Sequence, residues 1–284
     1  MTPRHRRLVK TAVATLFVVL LAGVTYQGVS TALERRAFRH PGRLVDVGGH
    51  QLHIHCTGDG VPTVVLEAPA GGLSAGWALV QPRLATLTRV CSYDRSGLGW
   101  SEAGDAPFDP GDVAEQLHRL LQAADEPGPV VIAGAGLGAA FARLFASRFP
   151  GDTAALVLID PPLADGAGPD AGTADLAPWL SRAGLRRIRG AGRADGEQLP
   201  ADARGALRAF LNRPDHLTRT AREVERWSSV TAMAEAAALP EELPVQRVRL
   251  DGSGTVLALA RRDAALTVTA AIGRAVEDWR HSHP

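Results

Sequence analysis

Few stretches of this sequence hold chemistry-bearing residues at a telling spacing. The clearest is VVIAGAGLGAAFARLFASRFPGD, residues 130–152. A strand-like apolar run meets three alternating glycines, Gly134, Gly136 and Gly138. Leu137, Phe141, Leu144 and Phe145 then recur on one helical face. A turn this tight projects its tip residue, which suits a serine or cysteine nucleophile. The tip residue here is Gly136, which has nothing to attack with. Ser96 and Ser101 flank a GLGW turn and read as turn hydroxyls. His53 and His55 share one face of a strand; with no third ligand in view, a solvated face is favoured over a metal site. Asp94 and Arg95 read as a structural ion pair or turn contact, and Trp100, Trp179 and Trp227 as packing residues. No metal or cofactor is expected.

These residues need a scaffold, and the periodicities supply one. RLVDVGGHQLHIHC alternates around Gly48-Gly49 as a hairpin does. TVVLEA (63–68), RVCSYD, PVVIAG and AALVLID are apolar enough for strands covered on both faces. Between them GWALVQPRLATL, residues 110–125 and residues 137–149 read as helices. Strands alternating with helices imply a mostly parallel, doubly wound sheet opened by an antiparallel hairpin. After Asp160 the texture becomes helical, so residues 161–243 are assigned to a cap insertion on a core of 37–160. PVQRVRLDG and ALTVTAAIGRAVEDWR, within 244–284, return a strand and a helix to that core. Cys56 and Cys91 fall in strands. A cross-strand disulfide is possible if these are neighbours; two buried thiols are the alternative.

The 284 residues include 45% hydrophobic and 21% charged residues, ordinary for a globular core. A net charge of +1 gives no reason to expect nucleic acid. Residues 1–36 differ from the rest. Arg4, Arg6, Arg7 and Lys10 precede a stretch from Thr11 to Leu33 without any charge. As a helix that stretch spans roughly 34 Å, enough to cross a bilayer. An uncleaved single-pass anchor, with the rest outside the cytoplasm, is the favoured reading. Secretion after cleavage near Ser30-Thr31-Ala32 is the alternative.

With these pieces in place, the chain resembles the α/β-hydrolase superfamily, and bacterial members with an N-terminal membrane segment in particular. GRLVDVGGHQLHIHCTGDG, PTVVLEA, RVCSYDRSGLGWSE, the glycine elbow and ALVLIDPP carry the resemblance across roughly residues 40–162. It implies an α/β-hydrolase fold, a pocket at the C-terminal ends of the strands, and ancestry in ester or amide hydrolysis.

The resemblance also implies where machinery should stand. The nucleophile belongs at the centre of G-x-S-x-G, where Gly136 sits. The general base belongs after the last strand, where DGSGT places Thr255; a threonine hydroxyl does not titrate near neutral pH. Between AAALPEEL (236–243) and DGSGT (251–255) there is room for only one strand, so the penultimate strand, its acid loop and the following helix are expected to be shortened or missing. Asp160 is the possible alternative acid, although a capping role suits it better. Of the oxyanion-hole positions, Leu137 keeps its N–H and Pro69 has none. Losing one such donor typically costs about 2.7–4 kcal/mol of transition-state stabilisation.

The sequence therefore points to a membrane-tethered pseudo-hydrolase acting by binding a ligand or a protein partner. The space vacated at the elbow, lined by Leu98 and Leu137, suits a small apolar or acyl ligand. An active hydrolase of small acyl substrates with a rearranged site is the alternative, and a decaying gene product the third reading.

Overall fold

The computed structural model describes residues 3–105, 107–126, 128–162, 168–189, 196–250 and 258–283. It opens with one long helix, α1 (Pro3–Ala37). Strands β1 (Arg43–Asp46) and β2 (Gln51–Thr57) follow as an antiparallel hairpin, in register from Arg43 opposite Ile54 to Asp46 opposite Gln51. Next come β3 (Thr63–Glu67), a 3-10 turn at Ser74–Trp77, the short α2 (Gln81–Leu84) and β4 (Val90–Tyr93). Then α3 (Pro110–Ala123), β5 (Val130–Ala135), α4 (Leu137–Arg148) and β6 (Thr153–Ile159) complete the alternation.

Between β6 and the next strand the described residues hold only helices. These are α5 (Ala171–Arg182), α6 (Leu185–Ile188), α7 (Ala201–Phe210), α8 (Pro214–Glu225) and α9 (Trp227–Ala236). The chain ends in β7 (Val245–Val248) and α10 (Arg262–Ser282). The seven strands lie in the order β1-β2-β4-β3-β5-β6-β7, antiparallel at the β1–β2 and β2–β4 pairs and parallel from β4 onward. β7 takes the room available for one strand, beside β6, and no later strand occurs among the described residues.

Strands β3, β5 and β6 are buried at every position, because helices cover both faces of the sheet. Val64, Leu66, Val131 and Val157 pack on the side of Val268 and Ile272 of α10. Val65, Ile132 and Leu156 pack on the side of Leu117 and Leu120 of α3 and Phe145 of α4. Asp109 caps α3 by accepting the Gly111 N–H, with Pro110 at the first helical position where no N–H is needed.

α1 has two environments. Residues 4–22 are exposed throughout, whereas Gln27 is 4% exposed and bonded to Asn212 and Arg187 among the helices between β6 and β7. α1 is the one helix among the described residues long and apolar enough to cross a membrane.

Cys56 and Cys91 stand directly opposite one another in β2 and β4 and are joined as a disulfide, Cα to Cα 4.0 Å. It closes a loop of sequence separation 35 in the hairpin side of the sheet. Replacing both residues by alanine is expected to lower unfolding stability by about 3–4 kcal/mol through the freed unfolded chain. Urea unfolding of the detergent-solubilised protein, compared with the double variant, measures it.

Candidate functional site

The glycine elbow is intact as geometry. Gly136 sits between β5 and α4 at φ 52° and ψ −127°, a conformation that L side chains adopt only under strain. Its two flanking glycines let α4 cross the strands closely. A Cβ on Gly134 would lie 2.3 Å from the Gly138 carbonyl oxygen, and one on Gly138 would lie 2.4 Å from that of Ala68. Leu137, first residue of α4, is fully buried and packs with Phe141, Val230 and Ala234.

Beside the elbow, the loop after β3 is clamped by a buried charge network. Arg95 donates to Glu67 and to the carbonyl oxygens of Ala68 (2.6 Å) and Pro69 (2.9 Å). It also makes two hydrogen bonds to Glu223 of α8, at 2.8 and 2.9 Å. The Gly71 N–H donates to Glu223 Oε2 at 3.0 Å, and His216 Nε2 bonds the Gly71 carbonyl at 2.9 Å. Tyr93 donates its hydroxyl to Glu67. Pro69 is buried in this clamp with no N–H to offer. Burial opposes ionisation of both glutamates. Arg95, bound to Glu223 through two nitrogens, holds that carboxyl below its ordinary range, while burial pushes Glu67 up despite Arg95. Arg95 itself is held more firmly protonated than usual.

His53 corrects a sequence expectation, and Asp94 takes the turn contacts expected of it. The face carrying His53 was expected in solvent, yet its side chain is fully buried. Alternation along β2 separates Leu52 and Ile54 from His53, but the second face is roofed by Trp100 (ring centroids 5.0 Å apart) and the Ser74 turn. Asp94 does not pair with Arg95; the two side chains point to different partners. Asp94 Oδ2 meets His53 Nδ1 at 3.0 Å and accepts the Trp100 N–H at 3.0 Å, while Oδ1 accepts the Ser74 N–H at 2.6 Å. Burial disfavours the Asp94 carboxylate, but His53 and these N–H donors outweigh it and hold the carboxyl below its usual range.

Ser74, His53 and Asp94 form a serine–histidine–aspartate cluster without the geometry of a relay. Ser74 Oγ lies 3.3 Å from His53 Nδ1, the same nitrogen that meets Asp94. A relay needs the acid on one ring nitrogen and the hydroxyl on the other. With Nδ1–H directed to Asp94, no lone pair there can take the serine proton. His53 Nε2 is buried with no partner among the described residues. Ser96 and Ser101 hold the neighbouring turn: Ser101 Oγ donates to the Asp94 carbonyl, and Ser96 Oγ accepts the Gly104 N–H.

Asp160 follows β6 at φ 42°, and its Oδ1 accepts the Leu250 N–H at 2.8 Å, tying it to the end of β7. Thr255 lies outside the described residues. Cys56, Cys91 and Glu126 are grouped as metal ligands would be, but the sulfurs are bonded to each other and Glu126 pairs with Arg89.

A large open volume is lined by none of the elbow residues 134–138. A cavity of about 920 Å³ is walled by Arg36, Phe38 and Arg39 after the apolar part of α1, and by Ser74, Ala78 and Gln81. Trp100, His55, Ala203 and Ala206 close it. Burial and the proximity of His53 lower the pKa of His55. Leu98 and Leu137, the residues expected to line a pocket, are both fully buried and neither belongs to this wall. No motif in the sequence marked the cavity; the arginines following the apolar run were its only visible signal.

With this geometry in view, comparison with known proteins is direct. The model of the alpha/beta hydrolase family matches residues 51–283. The chain belongs to that family. A 2-hydroxy-6-oxo-2,4-heptadienoate hydrolase of Pseudomonas putida is 31% identical over 121 residues, 42% of this chain and 44% of that protein. An uncharacterized vacuolar membrane protein of Saccharomyces cerevisiae is 33% identical over 117 residues, 35% of this chain and 18% of that protein. The chain thus covers less than half of either relative. Among solved structures, the enol-lactonase of Burkholderia xenovorans superposes with a TM-score of 0.60 at 17% identity, over 84% of this chain and 100% of the other. The ancestral haloalkane dehalogenase AncHLD2 gives 0.62 at 16% identity, over 84% and 99%. At these identities the likeness is one of fold.

Within this hydrolase fold, Arg95 is the cation that lets two buried carboxylates coexist. Arg95→Met is expected to destabilise by about 3–5 kcal/mol, because Glu67 would remain buried without a counter-charge and Glu223 with only Arg219, 3.6 Å away. Urea unfolding monitored by tryptophan fluorescence gives the value.

Proposed function

We propose that this chain is a membrane-tethered hydrolase-fold protein that has lost hydrolytic chemistry and acts by binding. The observation that carries this reading is Gly136 at the tip of an otherwise well-formed elbow: the scaffold is kept and the reagent is absent. The buried Pro69 and the Gly71 N–H already bonded to Glu223 support it, since both reduce what could stabilise an oxyanion. Thr255 at the histidine position adds the loss of the base. The family match supports an ancestry among hydrolases, and ester or amide hydrolysis is the ancestral chemistry this reading favours.

The ligand this reading favours is small and apolar or acyl, and the 920 Å³ cavity is the place for it. Its size falls within the usual range of ligand pockets, roughly 300–1,000 Å³. Ala78, Ala203, Ala206, Phe38 and Trp100 offer apolar wall, and Arg36 and Arg39 suit an anionic end. The tether is read as uncleaved, because a cut near Ser30-Thr31-Ala32 would separate Gln27 from Glu34, both bonded to Arg187 of the cap. Placement of the domain outside the cytoplasm is supported by the Cys56–Cys91 disulfide.

The alternative, an active hydrolase with a rearranged site, draws on Ser74, which lines the cavity beside His53 and Asp94. A fluorophosphonate probe with intact-mass readout separates the two. The expected result is no adduct on the folded full-length protein; an adduct mapped to Ser74 would overturn the binding reading. Native mass spectrometry should find an acyl compound released from the wild type and lost in Ala203→Phe, which fills the cavity. Gly136→Ser is expected to lose about 1–3 kcal/mol through strain at positive φ and to gain no turnover of p-nitrophenyl esters.

A further inference from the structure

The cap carries an apolar corner that the fold leaves open. Leu176 and Trp179 of α5 are 59% and 69% exposed, and Leu185 and Ile188 of α6 are 40% and 67% exposed. Four large apolar side chains within thirteen residues form a patch, and such patches mark an interaction surface. Arg182 stacks its guanidinium on the Trp179 ring, 5.2 Å from the centroid, and Arg189 is exposed nearby.

This corner is where α1 meets the cap. A Cβ on Gly23 would lie 2.2 Å from the Ala183 carbonyl oxygen, and one on Gly184 would lie 2.8 Å from that of Gly23. Further along, Gln27 Nε2 donates to the Asn212 carbonyl at 2.8 Å, and Arg187 donates to Gln27 and Glu34. The helix is thereby held against the corner between α5 and α6 from residue 23 to residue 34.

The position of Gly23 along the tether sets the depth of the corner. From Thr11, where charge ends, to Gly23 the helix rises about 18 Å, while the hydrocarbon core is about 30 Å thick. With Thr11 at the near boundary, Gly23 lies about 12 Å short of the far one. Tilting the helix shortens its rise and leaves Gly23 deeper still. Sliding it outward until Gly23 clears the core would draw Arg4, Arg6, Arg7 and Lys10 into hydrocarbon, at a cost of about 2.5–3.5 kcal/mol for each one reaching the centre. Any chain that crosses the bilayer on residues 11–33 therefore brings Ala183 and Gly184 below the lipid surface. Glu34 and its partner Arg187, about 34 Å from Thr11, fall at the headgroups, where charge is tolerated.

Resting on the reading of α1 as a tether, we propose that the α5–α6 corner is a second membrane contact, inserted among the acyl chains below the headgroups. Trp179, Leu176, Leu185 and Ile188 face lipid, and the Arg182 guanidinium stays stacked on the Trp179 ring. The cap is then fixed in height and rotation relative to the bilayer, and α1 and the corner act as one platform.

The test uses full-length protein in phosphatidylcholine–phosphatidylglycerol vesicles, with and without brominated acyl chains, for the wild type and Trp179→Phe. Flotation with the vesicles is scored first; a protein that fails to float overturns the tether reading and the proposal with it. In floating protein, bromolipid is expected to quench a fluorescence component that Trp179→Phe removes and Ile188→Trp restores in the Trp179→Phe background. Equal quenching in wild type and Trp179→Phe, with no gain from Ile188→Trp, would overturn the corner contact and leave the tether standing. Protection of Trp179 from aqueous acrylamide without bromolipid quenching would assign the patch to a second copy of the chain, and would also overturn it.

Discussion

Arg95 is the side chain on which the arrangement of core and cap depends. It leaves β4, passes beneath the loop after β3, and ends on Glu223 of α8, joining sheet, loop and cap in one buried ion cluster. Two carboxylates and a phenol could not share that volume without it, because burial opposes every charge there. The cluster also bonds the carbonyls of Ala68 and Pro69, whose loop lies against the first turn of α4. The region where a hydrolase would stabilise an oxyanion is therefore built as a structural joint.

The same logic extends toward the membrane side. The cap is held to the core by Arg95 and Glu223, and α1 is held to the cap by Arg187, Glu34 and Gln27. α1, the helices between β6 and β7, and the sheet form a continuous series of polar contacts, with the large cavity lying where the end of α1 meets the core and α7. The wall of that cavity includes Arg36 and Ala37 at the end of α1 and Phe38, Arg39 and Pro41 just after it.

The elbow keeps its backbone geometry with glycine at the tip. Gly134 and Gly138 are demanded by backbone contacts at 2.3 and 2.4 Å that any side chain would break, whatever the site does. The tip residue Gly136 has φ 52°, which glycine accepts without strain. Packing preserves the flanking glycines; only chemistry would preserve a serine.

The sequence by itself determined the elements and their class. Period-two and helical apolar patterns are local, so β1–β6, the helices around the sheet and the helical insertion were legible from residue types alone. The glycine spacing likewise announced the elbow, and the charge-free run from Thr11 announced the long first helix. What only the tertiary structure decided involves partners far apart in the chain. Arg95 and Glu223 are 128 positions apart, and Gln27 and Asn212 are 185 apart. His53 looked solvated because alternation along one strand reports which residues share a face, not what roofs that face. The cavity and the corner of the cap are the same kind of fact: each is a relation between surfaces, set by how close-packed elements meet and written in no single segment.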